Sequence, residues 1–266
     1  MVIIGEKINS TLKSARQAME NRDAQAIASL AMRQLEAGAA YIDVNAGAFF
    51  GEEAEILGWL VGAVQGAVSA PVAIDSPNPA AIKAALAANR FGKPIINSIT
   101  GEKERFGAVL PLAMEYGAGV VALCMDDGGI PETAEGRVEI ADRLVGDLAR
   151  EGVAACDIYI DPMVRPIGTG PGHGVVALET IREVRRRHPD AHIMCGLSNI
   201  SFGIPARRLM NQAFLVAAMA AGMDGAILDP LDRRLMAAVY AGEALLGLDD
   251  YCMAYIAKFR EGALDD

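Results

Sequence analysis

The sequence predicts an α/β protein, a (β/α)8 barrel of the TIM type, and three observations carry that expectation. Short apolar runs rich in β-branched residues recur eight times along the 266 residues. Segments with helical spacing of apolar residues separate them, so strand and helix alternate throughout. The runs are near-continuously apolar rather than alternating, which is the pattern of strands buried on both faces, as in a parallel sheet under helices. An open doubly wound sheet meets that last condition too. Eight βα units in about 250 residues, however, match the size and count of a closed barrel.

In chain order the strand candidates are VIIGEKI from Val2, AYIDVNAG from Ala40, VAIDS from Val72, PIINSIT from Pro94 and GVVALCM from Gly119. IYIDP from Ile158, HIMCGLSN from His192 and GAILDP from Gly225 complete the set. Between the first two, AQAIASLAMRQLEAG places Ile27, Leu30, Ala31 and Leu35 on one helical face, and Gly38 supplies the stop. RPIGTGPGHG, from Arg165, is the conspicuously Gly/Pro-rich stretch and is expected to be a mobile loop after the sixth strand. No change of composition or linker interrupts the series, so residues 1–266 read as a single domain.

The bulk chemistry excludes several function classes. With 52% hydrophobic and 22% charged residues the chain has material for one large core. A formal charge of -10 and a pI near 4.9 argue against nucleic-acid binding, which uses a basic face to release phosphate counterions. The N-terminus MVIIGEKINS lacks the apolar core of a signal peptide, and no uninterrupted apolar run reaches the roughly 20 residues of a membrane span. Cys124, Cys156, Cys195 and Cys252 are widely spaced and form no CxxC pair, so neither a zinc knuckle nor a disulfide framework is expected, and a reducing cytoplasm is the default location.

Barrel chemistry sits where strands end, so the residues closing each strand carry the functional information. They are Glu6 and Asn9, Asp43 and Asn45, Asp75 and Ser76, Asn97 and Ser98, Asp126, Asp161, Ser198 and Asn199, and Asp229. Any one of them can be a helix cap or a turn residue. Repeated on nearly every strand, capping becomes a poorer account. The set holds carboxylates, carboxamides and hydroxyls but no histidine: His173 lies in the Gly-rich loop, His188 at a basic helix end and His192 at the start of the seventh strand. A serine nucleophile therefore lacks a base, and no protein-bound metal is expected, although carboxylates alone can hold Mg²⁺. Such a ring suits a flat heterocycle with donors and acceptors on its edge, because Asp accepts paired N–H groups while Asn both donates and accepts. A pterin presents that edge.

The motifs IIGEKIN, IDVNAG, IDSPN, IINS, IYIDP and GLSNISFGIPARRLMNQAFL, in this order and spacing, resemble those of the methyltetrahydrofolate- and corrinoid-dependent methyltransferases. That family includes the methyltransferase of the corrinoid iron–sulfur protein and, more distantly, the folate domain of cobalamin-dependent methionine synthase. The resemblance implies a TIM barrel of the pterin-binding type that moves a methyl group between N5 of tetrahydrofolate and the cobalt of a corrinoid, with either direction open. Tetrahydrofolate or 5-methyltetrahydrofolate is then the substrate, and the cobalamin or other corrinoid arrives on a partner protein. The pterin-contacting positions of the family fall on Asp75, Asn97 and Asp161, with Gly196, Ser198 and Asn199 from the seventh strand, and Asn199 is the catalytic candidate. Arg207 also matches a family position, either reaching the pterin or ordering the loop after Asn199. Phe202 stands where the corrinoid iron–sulfur enzymes carry a glutamine that contacts substrate, which points to a different branch or partner.

The resemblance further implies a homodimer, through the late helices around Leu235 to Leu248, where an apolar face is equally explained by barrel packing. A near match to a corrinoid-binding D-x-H-x-x-G signature, with Asp190, His192 and Cys195 in place of the glycine, precedes a barrel strand and reads as accidental. Three alternatives stay open: a dihydropteroate synthase-like enzyme, although the end of the last strand reads ILDPLDRRL, with carboxylates where that enzyme needs Arg and His; a non-catalytic pterin or corrinoid-partner scaffold; and a Mg²⁺-dependent lyase or aldolase.

Overall fold

The computed structural model describes residues 1–264. Eight parallel strands close into a barrel in chain order: β1 (Val2–Asn9), β2 (Tyr41–Asn45), β3 (Val72–Asp75), β4 (Ile95–Thr100), β5 (Gly119–Leu123), β6 (Ile158–Asp161), β7 (His192–Gly196) and β8 (Gly225–Leu228), with β8 pairing back onto β1. Each lies where its apolar run predicts it. Among the described residues ten α-helices accompany them: α1 (Lys13–Glu20), α2 (Ala24–Glu36), α3 (Glu53–Ala67), α4 (Pro79–Ala88), α5 (Lys103–Tyr116), α6 (Ala134–Arg150), α7 (His173–Arg187), α8 (Arg207–Ala221), α9 (Arg233–Leu245) and α10 (Met253–Arg260).

Local chemistry sets the helix ends. Asp23, Asn78, Thr133 and Asp232 each accept a backbone N–H in the first turn of α2, α4, α6 and α9, the bond that satisfies an otherwise orphaned donor. Helix α2 buries Ile27, Ala31 and Gln34, with Leu30 and Leu35 packed at the edge of the same face. It stops at Gly38, whose φ of 107° lies in the left-handed region where a side chain is strained.

The apolar residues form two layers. Outside the barrel, strands pack on helices through a continuous core that includes Ile3, Ile42, Leu57, Val61, Ile82, Leu144 and Leu215. Inside it, Ile4, Ala73, Ile95, Val121, Tyr159 and Met194 form a separate plug, with Leu123 and Ile227 packed against it. The barrel is thus filled below and open only towards the carboxyl ends of its strands.

The Gly/Pro-rich stretch does follow β6, and it is tied down rather than loose. A short 3-10 turn at Ile167–Thr169 leads into α7, where the buried His173 bonds the Pro166 carbonyl through Nδ1 at 2.8 Å. Of the late apolar segment, Leu235, Met236 and Val239 pack onto the barrel, whereas Leu245 and Leu248 are 77% and 71% exposed and continue into exposed Tyr251, Met253 and Phe259. Among the described residues no helix is long and apolar enough to cross a membrane.

Candidate active site

Strand register gathers the polar strand ends. Asn45 on β2 pairs with Asp75 on β3, and Asp75 pairs in turn with Asn97 on β4, so three polar side chains stand in one row at the same height. Across the barrel, Leu123 on β5 is in register with Asp161 on β6, and Gly196 on β7 with Ile227 on β8. The mouth these residues ring is a cavity of about 450 Å³, lined by Asp75, Asn97, Asp161, Gly196, Ser198 and Asn199 together with Glu6, Asn9, Thr11 and Asp43. Leu123 and Ile227 form its apolar floor on top of the interior plug. That volume lies in the range of small-molecule sites.

Six of the seven residues singled out for substrate thus meet at one cavity, and Arg207 is the exception. Its guanidinium donates to the Ser198 carbonyl at 2.9 Å and to Ser201 Oγ at 3.1 Å, so it holds the short 3-10 segment Leu197–Ser201 that carries Asn199. Phe202, 66% exposed, lies against the same guanidinium, 5.7 Å from its ring centre. Asn199 itself is exposed at the rim. Gly196 lets it fold over the strand end, since a Cβ there would come within 3.2 Å of Asn199 Nδ2.

The remaining strand-end residues divide into those that face the cavity and those that shape turns. Ser76 donates to Glu53 at 2.6 Å and accepts the Asn78 N–H, Asp126 accepts the Gly128 N–H and pairs with Arg143, and Asp229 accepts the Leu231 N–H and pairs with Lys7 at 2.9 Å. For these three the capping account is right. Glu6 and Asp43, in contrast, belong to the cavity, and only the closed barrel reveals it.

Burial gives the cavity its electrostatics. It pushes Glu6 up to about 7, helped by the nearby Asp229 charge and opposed by Lys7 and Arg207. Burial raises Asp161 to about 6 against the opposing Met163 N–H bond of 2.7 Å and the Arg137 charge. Asp43, only 2% exposed, is driven well above the usual carboxylate range by burial and then by Asp75 and Glu6. Asp75 is raised by burial, with the Asn45 amide bond at 2.9 Å pulling the other way. Asn45 is fixed in turn, because its Oδ1 accepts from Ser10 Oγ at 2.9 Å and from the Gly47 N–H at 3.0 Å. A site of this kind can hold or release protons near neutral pH while offering acceptors to a flat, donor-rich ring.

Two arginines that sequence reasoning does not find support this geometry. Arg105, on α5, donates to the carbonyls of Ser76, Pro77 and Ser98, tying the ends of β3 and β4 together. Arg137, fully buried on α6, bonds the carbonyls of Pro131, Pro162 and Met163 at 2.9–3.0 Å. It thereby holds Met163, a cavity residue, at a φ of 61°, a left-handed conformation that costs roughly 1–2 kcal/mol for a non-glycine. The available signal for Arg137 is a lone cation beside Val138, Ala141 and Leu144 on the apolar face of its helix. Among the described residues no group of three or more His, Cys, Asp or Glu is arranged to hold a metal ion.

A closed parallel barrel whose mouth combines buried carboxylates with carboxamides defines a heterocycle-binding enzyme, and comparison with known proteins specifies it. The chain belongs to the pterin-binding enzyme family, whose sequence profile matches residues 5–229. Within that family it is 41% identical to the methylcorrinoid:tetrahydrofolate methyltransferase of Eubacterium limosum, over 99% of this chain and 98% of that protein. It is also 35% identical to methionine synthase of Mycobacterium tuberculosis, over 85% of this chain but 20% of that longer protein. Dihydropteroate synthase from Xanthomonas albilineans superposes with a TM-score of 0.67 at 18% identity, covering 94% of both chains, a likeness of fold alone.

Proposed function

We infer that the protein is a methyltransferase that moves a methyl group between N5 of a tetrahydrofolate and the cobalt of a corrinoid carried by a partner protein. The observation that carries this reading is the 41% identity, over nearly the whole of both chains, with a protein named for that activity, joined to a strand-end cavity of about 450 Å³ lined by the residues that the sequence motifs single out. It is favoured over a dihydropteroate synthase, to which the likeness is one of fold, and the β8 end here carries Asp229 paired with Lys7. We adopt the direction named for that relative, from methylcorrinoid to tetrahydrofolate.

In this reading Asp75, Asn97 and Asp161 hold the donor and acceptor edge of the pterin, with Gly196 and Ser198 closing one side and Asn199 facing N5 from the rim. The corrinoid enters as a co-substrate whose cobalt exchanges the methyl group in line with N5. As N5 gains its fourth substituent it gains positive charge, and its N–H becomes a stronger donor. The Asn199 carbonyl accepts that bond, which tightens in the transition state, while the proton itself leaves to solvent because a neutral carboxamide takes up none. An acceptor that bonds the transition state better than the ground state is worth roughly 3 kcal/mol, about a hundredfold in rate. Burying the acids deep and leaving Asn199 exposed also fits the need to admit a bulky partner.

The test is spectroscopic. Methylcob(III)alamin incubated anaerobically with the protein and tetrahydrofolate converts to cob(I)alamin at a rate proportional to protein. A partner scaffold without catalysis gives no conversion, and that result overturns the reading. We also propose that the chain works as one domain in the cytoplasm, in keeping with its four unpaired thiols, and as a homodimer through the exposed Leu245, Leu248, Tyr251, Met253 and Phe259. Sedimentation of Leu248→Glu as a monomer, against a dimeric parent, supports that interface.

A further inference from the structure

The loop after β6 starts from Asp161, and the 3-10 segment Leu197–Ser201 that follows β7 carries Asn199. The two meet at glycines. A Cβ on Gly174, in the first turn of α7, would lie 3.5 Å from Ile167 Cγ2 and 3.9 Å from Ile200 Cδ1, which is ordinary contact. A Cβ on Gly168, in the turn Ile167–Thr169, would lie only 3.0 Å from Ile204 Cγ2, inside the separation of about 3.5–4.0 Å at which carbon atoms settle. That turn is a right-handed 3-10 conformation open to other residues, so the close approach, and not the backbone, excludes a side chain at Gly168.

Neither side of this contact gives way easily. On the loop, Thr169 donates to the Pro166 carbonyl from its N–H at 3.1 Å and its Oγ at 2.9 Å, and Arg137 holds the carbonyls of Pro162 and Met163. Ile204 is β-branched with Cγ2 next to its backbone, so that methyl moves only with the whole side chain or the main chain. The Ile204 N–H donates to the Ser201 carbonyl at 3.3 Å, the Phe202 N–H to the Asn199 carbonyl at 3.2 Å, and Ser201 Oγ to the Ser198 carbonyl at 3.3 Å. Ile200, 1% exposed, anchors the middle of the segment. A push at Ile204 is therefore passed through bonded turns to Asn199, because close-packed segments transmit strain.

We propose that Gly168 is a positioning residue for Asn199: by carrying no side chain it lets the β6–α7 loop and the 3-10 segment seat at the spacing that methyl transfer needs. The inference rests on the methyltransferase reading, with Asn199 as the group that assists at N5. It couples the loop that follows Asp161, which holds the ring, to the segment that carries the assisting amide. A misplacement of about 1 Å costs roughly a hundredfold in rate, so the few tenths of an ångström that an added methyl forces here cost about tenfold. Ring binding, which Asp75, Asn97 and Asp161 supply, changes little.

The test is a double-mutant cycle read by single-turnover conversion of methylcob(III)alamin with tetrahydrofolate, beside calorimetry of tetrahydrofolate binding. Gly168→Ala is expected to slow the transfer about tenfold with the dissociation constant within about twofold of the parent's, whereas Gly174→Ala, where a methyl has room, transfers at the parental rate. In an Asn199→Ala background the Gly168 substitution costs nothing further, because the group it positions is gone. In an Ile204→Ala background, where the obstructing methyl is absent, it is silent again. A parental rate in Gly168→Ala, a similar loss in Gly174→Ala, or a tenfold loss that persists in either background overturns the proposal, since a merely structural defect would lower the rate in every background alike. If the parent protein itself gives no conversion, the methyltransferase reading falls, and this inference falls with it.

Discussion

The two ends of the barrel use similar side chains for opposite purposes. At the amino ends of the strands, Asp224 accepts from His192 and from the Ile193 N–H and pairs with Arg185 at 3.0 Å, while His192 stacks on Tyr159 with ring centres 4.7 Å apart. Burial alone raises Asp224, but those partners together bring its carboxyl below the usual range. At the carboxyl ends, Glu6, Asp43, Asp75 and Asp161 meet around one cavity and are all raised. One end satisfies its charges and closes. The other leaves them short of partners, which is the condition a ligand can relieve, and the difference marks the functional end without reference to any relative.

Substitutions can break or sharpen this contrast. The largest effect is expected at the mouth, where Asn199→Ala lowers turnover about a hundredfold, roughly 3 kcal/mol, with little change in folate affinity. Single-turnover rates set beside equilibrium binding check this, and equal loss of both removes Asn199 from the chemistry.

The stability consequence of the raised acids comes next. Asp161 titrates near 6 in the folded protein and near 3.8 when unfolded, so between those pH values the folded state binds the extra proton. Stability therefore falls as pH rises through that window, by on the order of 3 kcal/mol, and stays reduced above it. Asp161→Asn, which keeps the acceptor for the Met163 N–H, is expected to unfold at higher denaturant concentration than the parent at pH 8 and to lose that advantage near pH 4.

The same substitution raises the folate dissociation constant by about tenfold, 1.4 kcal/mol, as calorimetry would register. A more stable protein that binds less well is the signature expected of a site held in an unfavourable state for function.

The smallest effect belongs to the closed end. Asp224→Asn removes charge from an already satisfied cluster, costing about 1 kcal/mol, a fall of roughly 2–4 °C in Tm at neutral pH. Turnover per folded molecule stays at the parental value. Because the Asp224 carboxyl is held below its unfolded value, its contribution is present at neutral pH and is lost only as pH falls through that depressed range, the reverse of Asp161. A kinetic defect in this variant would erase the distinction between the two ends.

Much of this protein is legible in its sequence. All eight strands fall on the apolar runs, because a strand buried on both faces must be apolar at every position, and that pattern is local. The family membership likewise follows from motif order and is matched by the sequence comparisons. Asp75, Asn97, Asp161, Gly196, Ser198 and Asn199 could be named because each closes a strand within a recognisable motif, and the structure brings them to one cavity. What the sequence did not separate were polar residues near the strand ends: Ser76, Asp126 and Asp229 follow their strands and serve turns and ion pairs, whereas Glu6 and Asp43 lie within β1 and β2 and line the cavity.

That separation is tertiary. Whether a carboxylate at a strand end faces the barrel axis or the next helix depends on register and on closure of β8 against β1, neither of which a local pattern encodes. The supporting arginines are the clearest case, since Arg105 and Arg137 act on carbonyls of loops distant in sequence. The amino-acid sequence by itself determined the order of elements, the barrel and the chemical inventory of its mouth, through periodicity and strand-end residue types. Only the folded chain decided which of those groups share a buried cavity and which are neutralised elsewhere, because desolvation and pairing depend on what surrounds a group in space.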